Sequence, residues 1–267
     1  GAKVFGQLLH LGLEHSNDLE GTRVAAFGPT ANPSERYHTA GRAMTSADIA
    51  QVVRDFGAAA ARMRRGGLDG VEVAASHGYL LAQFLSGQLN ERTDHYGGSF
   101  ENRLRLTCEV LRAVRDAVGG ELAVGLRISG HELASDGLEP DEVLVACEAL
   151  GALGLVDYFN VTYGSSRQIG AAVHIVSPMS TDMAISTPFA ERIKEVVHQP
   201  VLAVGRINQP AQAEAILAAG RADLVGMTRA MICDPRMASK ARAGDVDDIR
   251  TCIACNQACI DRFHRGY

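Results

Sequence analysis

Residues 200–229 read Pro-Val-Leu-Ala-Val-Gly-Arg-Ile-Asn-Gln-Pro-Ala-Gln-Ala-Glu-Ala-Ile-Leu-Ala-Ala-Gly-Arg-Ala-Asp-Leu-Val-Gly-Met-Thr-Arg. Two short apolar runs, Val201–Val204 and Leu224–Met227, bracket a stretch that opens on Pro210, just after Gln209. Continuous apolar runs of this length read as strands buried on both faces. Proline at a first helical turn marks the stretch between them as a helix. Strand, helix, strand implies a right-handed crossover between parallel strands. Each strand also closes on glycine and arginine: Gly205-Arg206 in the first, Gly226 with Arg229 in the second.

The same alternation extends back to the start of the chain. Val4–Leu8, Val71–Ala74, Leu122–Ile128 and Tyr158–Thr162 read as further buried parallel strands. Ser46 is expected to cap an Ala-rich helix to Arg65, ended by Gly66-Gly67. Ser99 precedes a helix through Val118, stopped by Gly119-Gly120. Pro188 and Pro235, after Thr187 and Asp234, mark two more expected first turns. The fold class is α/β with a parallel sheet. Six strands suit an open doubly wound sheet, whereas a (β/α)8 TIM barrel needs eight. Two features favour the barrel. Polar residues gather at the C-terminal ends of several strands: Gln7 and His10, Ser76 and His77, Arg127, Thr162 and Tyr163, Arg206, Arg229. No G-x-G-x-x-G follows any strand, so the dinucleotide fingerprint of the open sheet is absent.

The chain has 267 residues, 46% hydrophobic and 21% charged, with a net charge of −5. That suffices for one large core, and no linker or low-complexity tract divides it. No basic block points to nucleic acid, and no apolar stretch is long enough to span a membrane. The N-terminus has neither an initiator Met nor a signal-peptide pattern, and reads as a strand already under way.

Three of the six cysteines, Cys252, Cys255 and Cys259, form a C-x2-C-x3-C run near the end of the chain. Such spacing lets one loop aim several thiolates at an iron–sulfur cluster or at zinc. A fourth ligand is expected beyond Tyr267. Cys108 and Cys147, in helical patterns, and Cys233, after a strand, read as small buried hydrophobes. This usage fits a reducing cytoplasm better than a disulfide scaffold.

Other residues carry chemistry only in combination. Glycine lets backbone amides approach an anion and arginine adds a fork of donors, so Gly205, Arg206, Gly226 and Arg229, paired at successive strand ends, read as a phosphate site; each arginine alone reads as a surface ion pair. Arg127 follows an apolar strand, where a cation needs a partner: an anionic ligand, or a salt bridge with Glu72 or Asp157. His77 and Tyr79, two apart at a strand end, can both reach a pocket, and tyrosine can donate a proton. Taken singly, they read instead as a satisfied histidine and a packed aromatic. Gln7 offers a donor and an acceptor, suited to a heterocycle's imide edge or to a neighbouring strand end.

Taken together, these segments resemble the old yellow enzyme family of FMN oxidoreductases. Within it they are closest to the iron–sulfur branch typified by 2,4-dienoyl-CoA reductase and trimethylamine dehydrogenase. The resemblance rests on Gln-Leu-Leu-His-Leu-Gly (7–12), residues 69–85 with Ser-His-Gly-Tyr, and Asn-Glu-Arg-Thr-Asp-His-Tyr-Gly-Gly-Ser-Phe-Glu-Asn-Arg (90–103). It also rests on Gly-Leu-Arg-Ile-Ser (125–129), the two strand ends above and the cysteine run. The 90–103 run is the most specific.

The resemblance implies an FMN-bearing TIM-barrel segment over 1–248 and the start of an iron–sulfur region over 249–267. Gln7 would meet the flavin pyrimidine and Arg127 its N1/O2 edge. Gly205, Arg206, Gly226 and Arg229 would hold the phosphate. Tyr79 falls on the family's proton donor, His77 on a substrate-binding position, and the three cysteines on a 4Fe–4S site. The first two strands, the loop over the flavin and a fourth cysteine are missing relative to the family. The barrel is therefore expected to be incomplete, with strands three to eight present. FAD- and NAD(P)H-binding domains often follow in the family, and a homo-oligomer is compatible with it.

The resemblance implies a small-molecule substrate and favours reduction of an activated C=C bond, with hydride from FMN and a proton from Tyr79. One alternative is oxidative N-demethylation of a methylated amine. His77 fits that reading, but Ala74 and Ser165 stand where a tyrosine and an aspartate are expected. A sequence with no Trp and 5% aromatics also offers little for a cation cage. The other alternative, a non-catalytic degenerate barrel, is disfavoured by the intact set Gln7, Arg127, Arg206 and Arg229.

Overall fold

The computed structural model describes residues 1–15 and 26–260. Its elements run β1 (Phe5–Leu8), β2 (Ala26–Gly28), β3 (Gly41–Ala43), α1 (Ser46–Arg65), β4 (Gly70–Ala75), α2 (Leu80–Leu85), α3 (Phe100–Val118), β5 (Ala123–Ser129) and α4 (Pro140–Ala152). There follow β6 (Tyr158–Thr162), α5 (Ile169–Ala172), α6 (Thr187–Val196), β7 (Val201–Val204), α7 (Pro210–Ala218), β8 (Leu224–Gly226), α8 (Thr228–Cys233) and α9 (Met237–Ala243).

Six strands form one all-parallel sheet in the order β1-β4-β5-β6-β7-β8. They are the six strands expected from sequence, shifted at their ends by at most a residue or two. No described strand joins β8 back to β1. The three-residue strands β2 and β3 pair with each other, parallel, and were not expected.

Alternation gives the sheet two faces. Val71, Val73 and Ala75, then Val124, Leu126 and Ile128, then Phe159 and Val161, turn toward the helices and are sealed from solvent. On α1, Ile49, Val52, Phe56 and Ala60 recur at helical spacing and make its buried stripe. The opposite face carries the polar residues in register. One row runs Gln7, Glu72, Gly125, Tyr158; the next runs Ala74, Arg127, Asn160, Leu202, Leu224.

Two expected helix starts shift. The cap of α1 is Thr45, not Ser46. The Thr45 side chain accepts from the Asp48 amide while the Asp48 carboxylate accepts from the Thr45 amide, so Ser46 becomes the first helical residue. Pro235 does not lie in a first turn. The Asp234 carboxylate gathers the amides of Arg236 and Arg250 and the Lys240 ammonium, and the chain bends around it before α9 begins. Cys233 ends α8 rather than following a strand directly, and only Cys147 of the three isolated cysteines is fully buried.

Candidate functional site

The carboxylate of Glu72 organises the polar face. Its Oε1 accepts from Gln7 Nε2 at 2.6 Å; its Oε2 accepts from Tyr158 Oη and Asn160 Nδ2, both at 2.9 Å. Tyr158 can lie across the sheet because Gly125 has no side chain. A Cβ there would sit 2.1 Å from the tyrosine ring.

Arg127 rises from the next row. Its guanidinium donates to Thr162 Oγ1 at 3.4 Å, and none of the ion pairs among the described residues includes it. Neither expected carboxylate takes it: Glu72 is held by neutral donors, and Asp157 pairs with Arg115 at 2.6 Å. Burial pulls its pKa down, with Glu72 pulling the other way. Even a partly buried guanidinium without a carboxylate is costly, which marks this as a place for an anion or a polarisable ligand.

That place is a cavity of about 560 Å³ at the C-terminal end of the sheet. Arg127 and Thr162 line it together with Gly205, Arg206, Gly226 and Arg229. Gly205 has φ +129°, a conformation open to glycine and strained for other residues. Arg206 spends two donors on the carbonyls of Thr181 and Met179; Arg229 donates to Asn256 Oδ1 at 2.7 Å. Asn208, also on the wall, leaves its Oδ1 buried without a partner. Five of the expected cofactor residues therefore converge. Gln7 does not line the cavity, and its amide nitrogen is committed to Glu72.

His77 and Tyr79 sit beside this cavity rather than in its wall. The His77 ring faces Gly164 O through Nδ1 at 3.2 Å and Thr162 Oγ1 through Nε2 at 3.4 Å. A carbonyl only accepts, so Nδ1 carries the hydrogen and Nε2 is the acceptor. Burial, then the nearby Arg127 charge, push the pKa of His77 down to about 3, so the ring is neutral. Tyr79 precedes α2. Its hydroxyl lies within hydrogen-bonding range of Ser166, and burial raises its pKa. Ser166 in turn accepts from Arg36 Nη1 at 3.0 Å. Beneath this pair, the buried Glu132 accepts from the Gly78 amide at 2.6 Å and from the Leu138 amide at 3.2 Å. Burial raises its carboxyl to about 7.

Cys252 and Cys259 line the same cavity, and Cys255 is exposed on the loop between them. Ala254 and Asn256 take left-handed backbone conformations, which fold the loop tightly. Among the described residues, no three cysteine, histidine, aspartate or glutamate side chains converge as a metal-holding group. The three thiols share a loop without closing a site.

Glu72, Glu132, Ser166 and Asn256 were not foreseen as site residues. Glu72 was read only as a salt-bridge partner. Asn256 carried a signal, an amide inside a cysteine-spaced loop; Glu132 and Ser166 carried none.

An α/β protein with a cationic cavity at the ends of parallel strands is the class defined so far. The chain belongs to the NADH:flavin oxidoreductase / NADH oxidase family, whose model matches residues 1–248. That match bears out the resemblance drawn from the sequence. The chain is 37% identical, over its whole length, to an N,N-dimethylglycine/sarcosine dehydrogenase of Chromohalobacter salexigens. It is 38% identical over 99% of its length to a metal reductase of Desulforamulus reducens. It spans 38% and 39% of those two relatives. A 2-naphthoyl-CoA reductase in complex with 2-naphthoyl-CoA superposes with a TM-score of 0.90 at 33% identity, covering 97% of this chain and 40% of that one. No described helix is long and apolar enough to cross a membrane.

Proposed function

We propose that this chain is the flavin-binding part of an FMN-dependent oxidoreductase, and that its sheet forms six strands of an eight-stranded barrel. The observation that carries the reading is Arg127. It is a partly buried cation with no carboxylate partner, and it shares one cavity with two glycine–arginine strand ends. Gly205, Arg206, Gly226 and Arg229 would hold the phosphate, and Arg127 would face the electron-rich edge of the flavin. Held to Glu72 through its nitrogen, Gln7 is left with its carbonyl oxygen to present as an acceptor.

When bound, FMN supplies the hydride for reduction of an activated C=C bond of a small-molecule substrate. Tyr79 supplies the proton. Its raised pKa keeps the hydroxyl protonated at neutral pH, and a hydrogen bond from Ser166 would steady the phenolate left behind. His77 stays neutral and offers Nε2 as an acceptor at the edge of the site. Cys252, Cys255 and Cys259 would hold a 4Fe–4S cluster with a fourth thiolate from outside the described residues.

A second reading, oxidation of a methylated amine, is favoured by the match of this whole chain to 38% of the N,N-dimethylglycine/sarcosine dehydrogenase.

The test is anaerobic purification of the full-length protein, followed by its absorption spectrum, analysis of iron, sulfide and zinc, and a screen of enoates, enoyl thioesters and N-methylated amines. Bound FMN with C=C reduction supports the main reading. Formaldehyde release without C=C reduction favours the second. Absence of flavin sinks both, and stoichiometric zinc without sulfide sinks the cluster.

A further inference from the structure

Asn256 stands between the second and third cysteines, and its side-chain oxygen accepts weakly from the Cys259 thiol at 3.8 Å. Its Nδ2 donates to Val176 O at 2.6 Å, which anchors the loop to the segment after α5. Its Oδ1 accepts from Arg229 Nη1 at 2.7 Å. The backbone is left-handed, φ +61°, a region asparagine tolerates better than most residues. Val176, Arg229, Cys252 and Cys259 all line the one cavity. A second amide repeats the pattern nearby: Asn208 Nδ2 donates to Cys252 O at 2.6 Å. The cysteine loop is thus fastened to the sheet end by side-chain amides, and one of them grips an arginine of the anion site.

We infer that Asn256 is a positioning residue for the cofactor phosphate. It fixes the Arg229 guanidinium by occupying one Nη1 hydrogen and leaves the remaining donors for the anion. Asparagine suits this role because it accepts from the arginine without neutralising it and donates to a carbonyl at its other end. Aspartate could not donate to Val176, and its charge would compete with the phosphate for Arg229. The inference rests on the flavin reading above.

The experiment is flavin titration of full-length apoprotein, wild type and N256A, with FMN and with riboflavin, which lacks the phosphate. N256A should weaken FMN binding by about tenfold or more, the scale of removing a partner that orients a ligating group. Riboflavin binding should stay unchanged. In an R229A background, N256A should then add little, because its effect passes through that arginine. N256D should lose at least as much FMN affinity as N256A. Equal weakening for both flavins would mean the loop has simply collapsed, and would overturn the assignment. So would an undiminished FMN affinity in N256A, or an equal further loss in the R229A background. A wild-type protein that binds riboflavin and FMN alike refutes the phosphate role while sparing the flavin reading; one that binds neither removes both.

Discussion

His77 is held at φ +58° with its ring almost sealed from water, between a carbonyl and the Arg127 side of the site. Its folded pKa, about 3, lies below its ordinary 6.5. Between those values the unfolded chain binds a proton that the folded chain refuses. Stability from this residue is therefore full above pH 6.5 and is lost as pH falls toward 3. Glu132 works in the opposite sense. Its carboxyl is raised from 4.5 to about 7, so its contribution is full below pH 4.5 and fades as pH rises toward 7. His77→Gln should flatten the acid-side decline in urea midpoint while leaving the Glu132 slope in place. An unchanged acid limb in the variant would assign that limb to another group. Tyr79→Phe removes a proton donor and little volume. In stopped-flow it should slow substrate reduction about 10²–10⁴-fold, the usual span for general acid catalysis, with flavin reduction by its electron donor unaffected. Equal slowing of both half-reactions would make Tyr79 structural. The positions of His77 and Tyr79 at a strand end were legible in the sequence. Their partners were not, because Ser129, Gly164 and Ser166 come from segments far along the chain that only the folded sheet brings alongside.

The strands were the most legible elements, since buried parallel strands announce themselves as uninterrupted apolar runs. β2 and β3 were not, because three residues carry no period and their pairing depends on tertiary contacts. Register was likewise hidden. Nothing in the local sequence places Gln7 opposite Glu72, yet that pairing decides which end of the glutamine amide is spent. Helix caps fall between these cases. Ser46 and Thr45 are both good capping residues by type, and the choice was made by Asp48, which completes a reciprocal box with Thr45. This yields a sharp expectation for chemical denaturation. Thr45→Ala should cost about 1 kcal/mol, whereas Ser46→Ala should be close to neutral because that side chain is already inside the helix. Equal costs would mean that the cap is shared or frayed. The helix matters to the site at one remove: α1 covers β1 and β4, the strands that carry Gln7 and Glu72.

At the scale of the molecule, the sheet has two unpaired edges among the described residues, β1 and β8. Both carry apolar side chains on the polar-site face that water still reaches: Phe5 is 44% exposed and Leu224 48%. Exposed apolar edges of a parallel sheet are unfavourable in isolation, since such sheets are ordinarily covered and their edges paired or protected. The proposed closure into a barrel would change the environment of these two residues more than that of any in the helix layer. Leu224 is the cleaner probe, because it sits in the row of Arg127 and Leu202 and takes no part in the cationic cavity. If the strands close in the full-length protein, Leu224→Ala should cost about 2–5 kcal/mol, as for a fully buried leucine. Were that face to stay open, the cost would be a small fraction of this, close to that of a surface change. Urea denaturation of the full-length variant distinguishes the two. Ala203 provides the internal standard. It is already sealed beneath the helices on the neighbouring strand, so enlarging it to Val should destabilise to a similar degree whether or not the sheet closes.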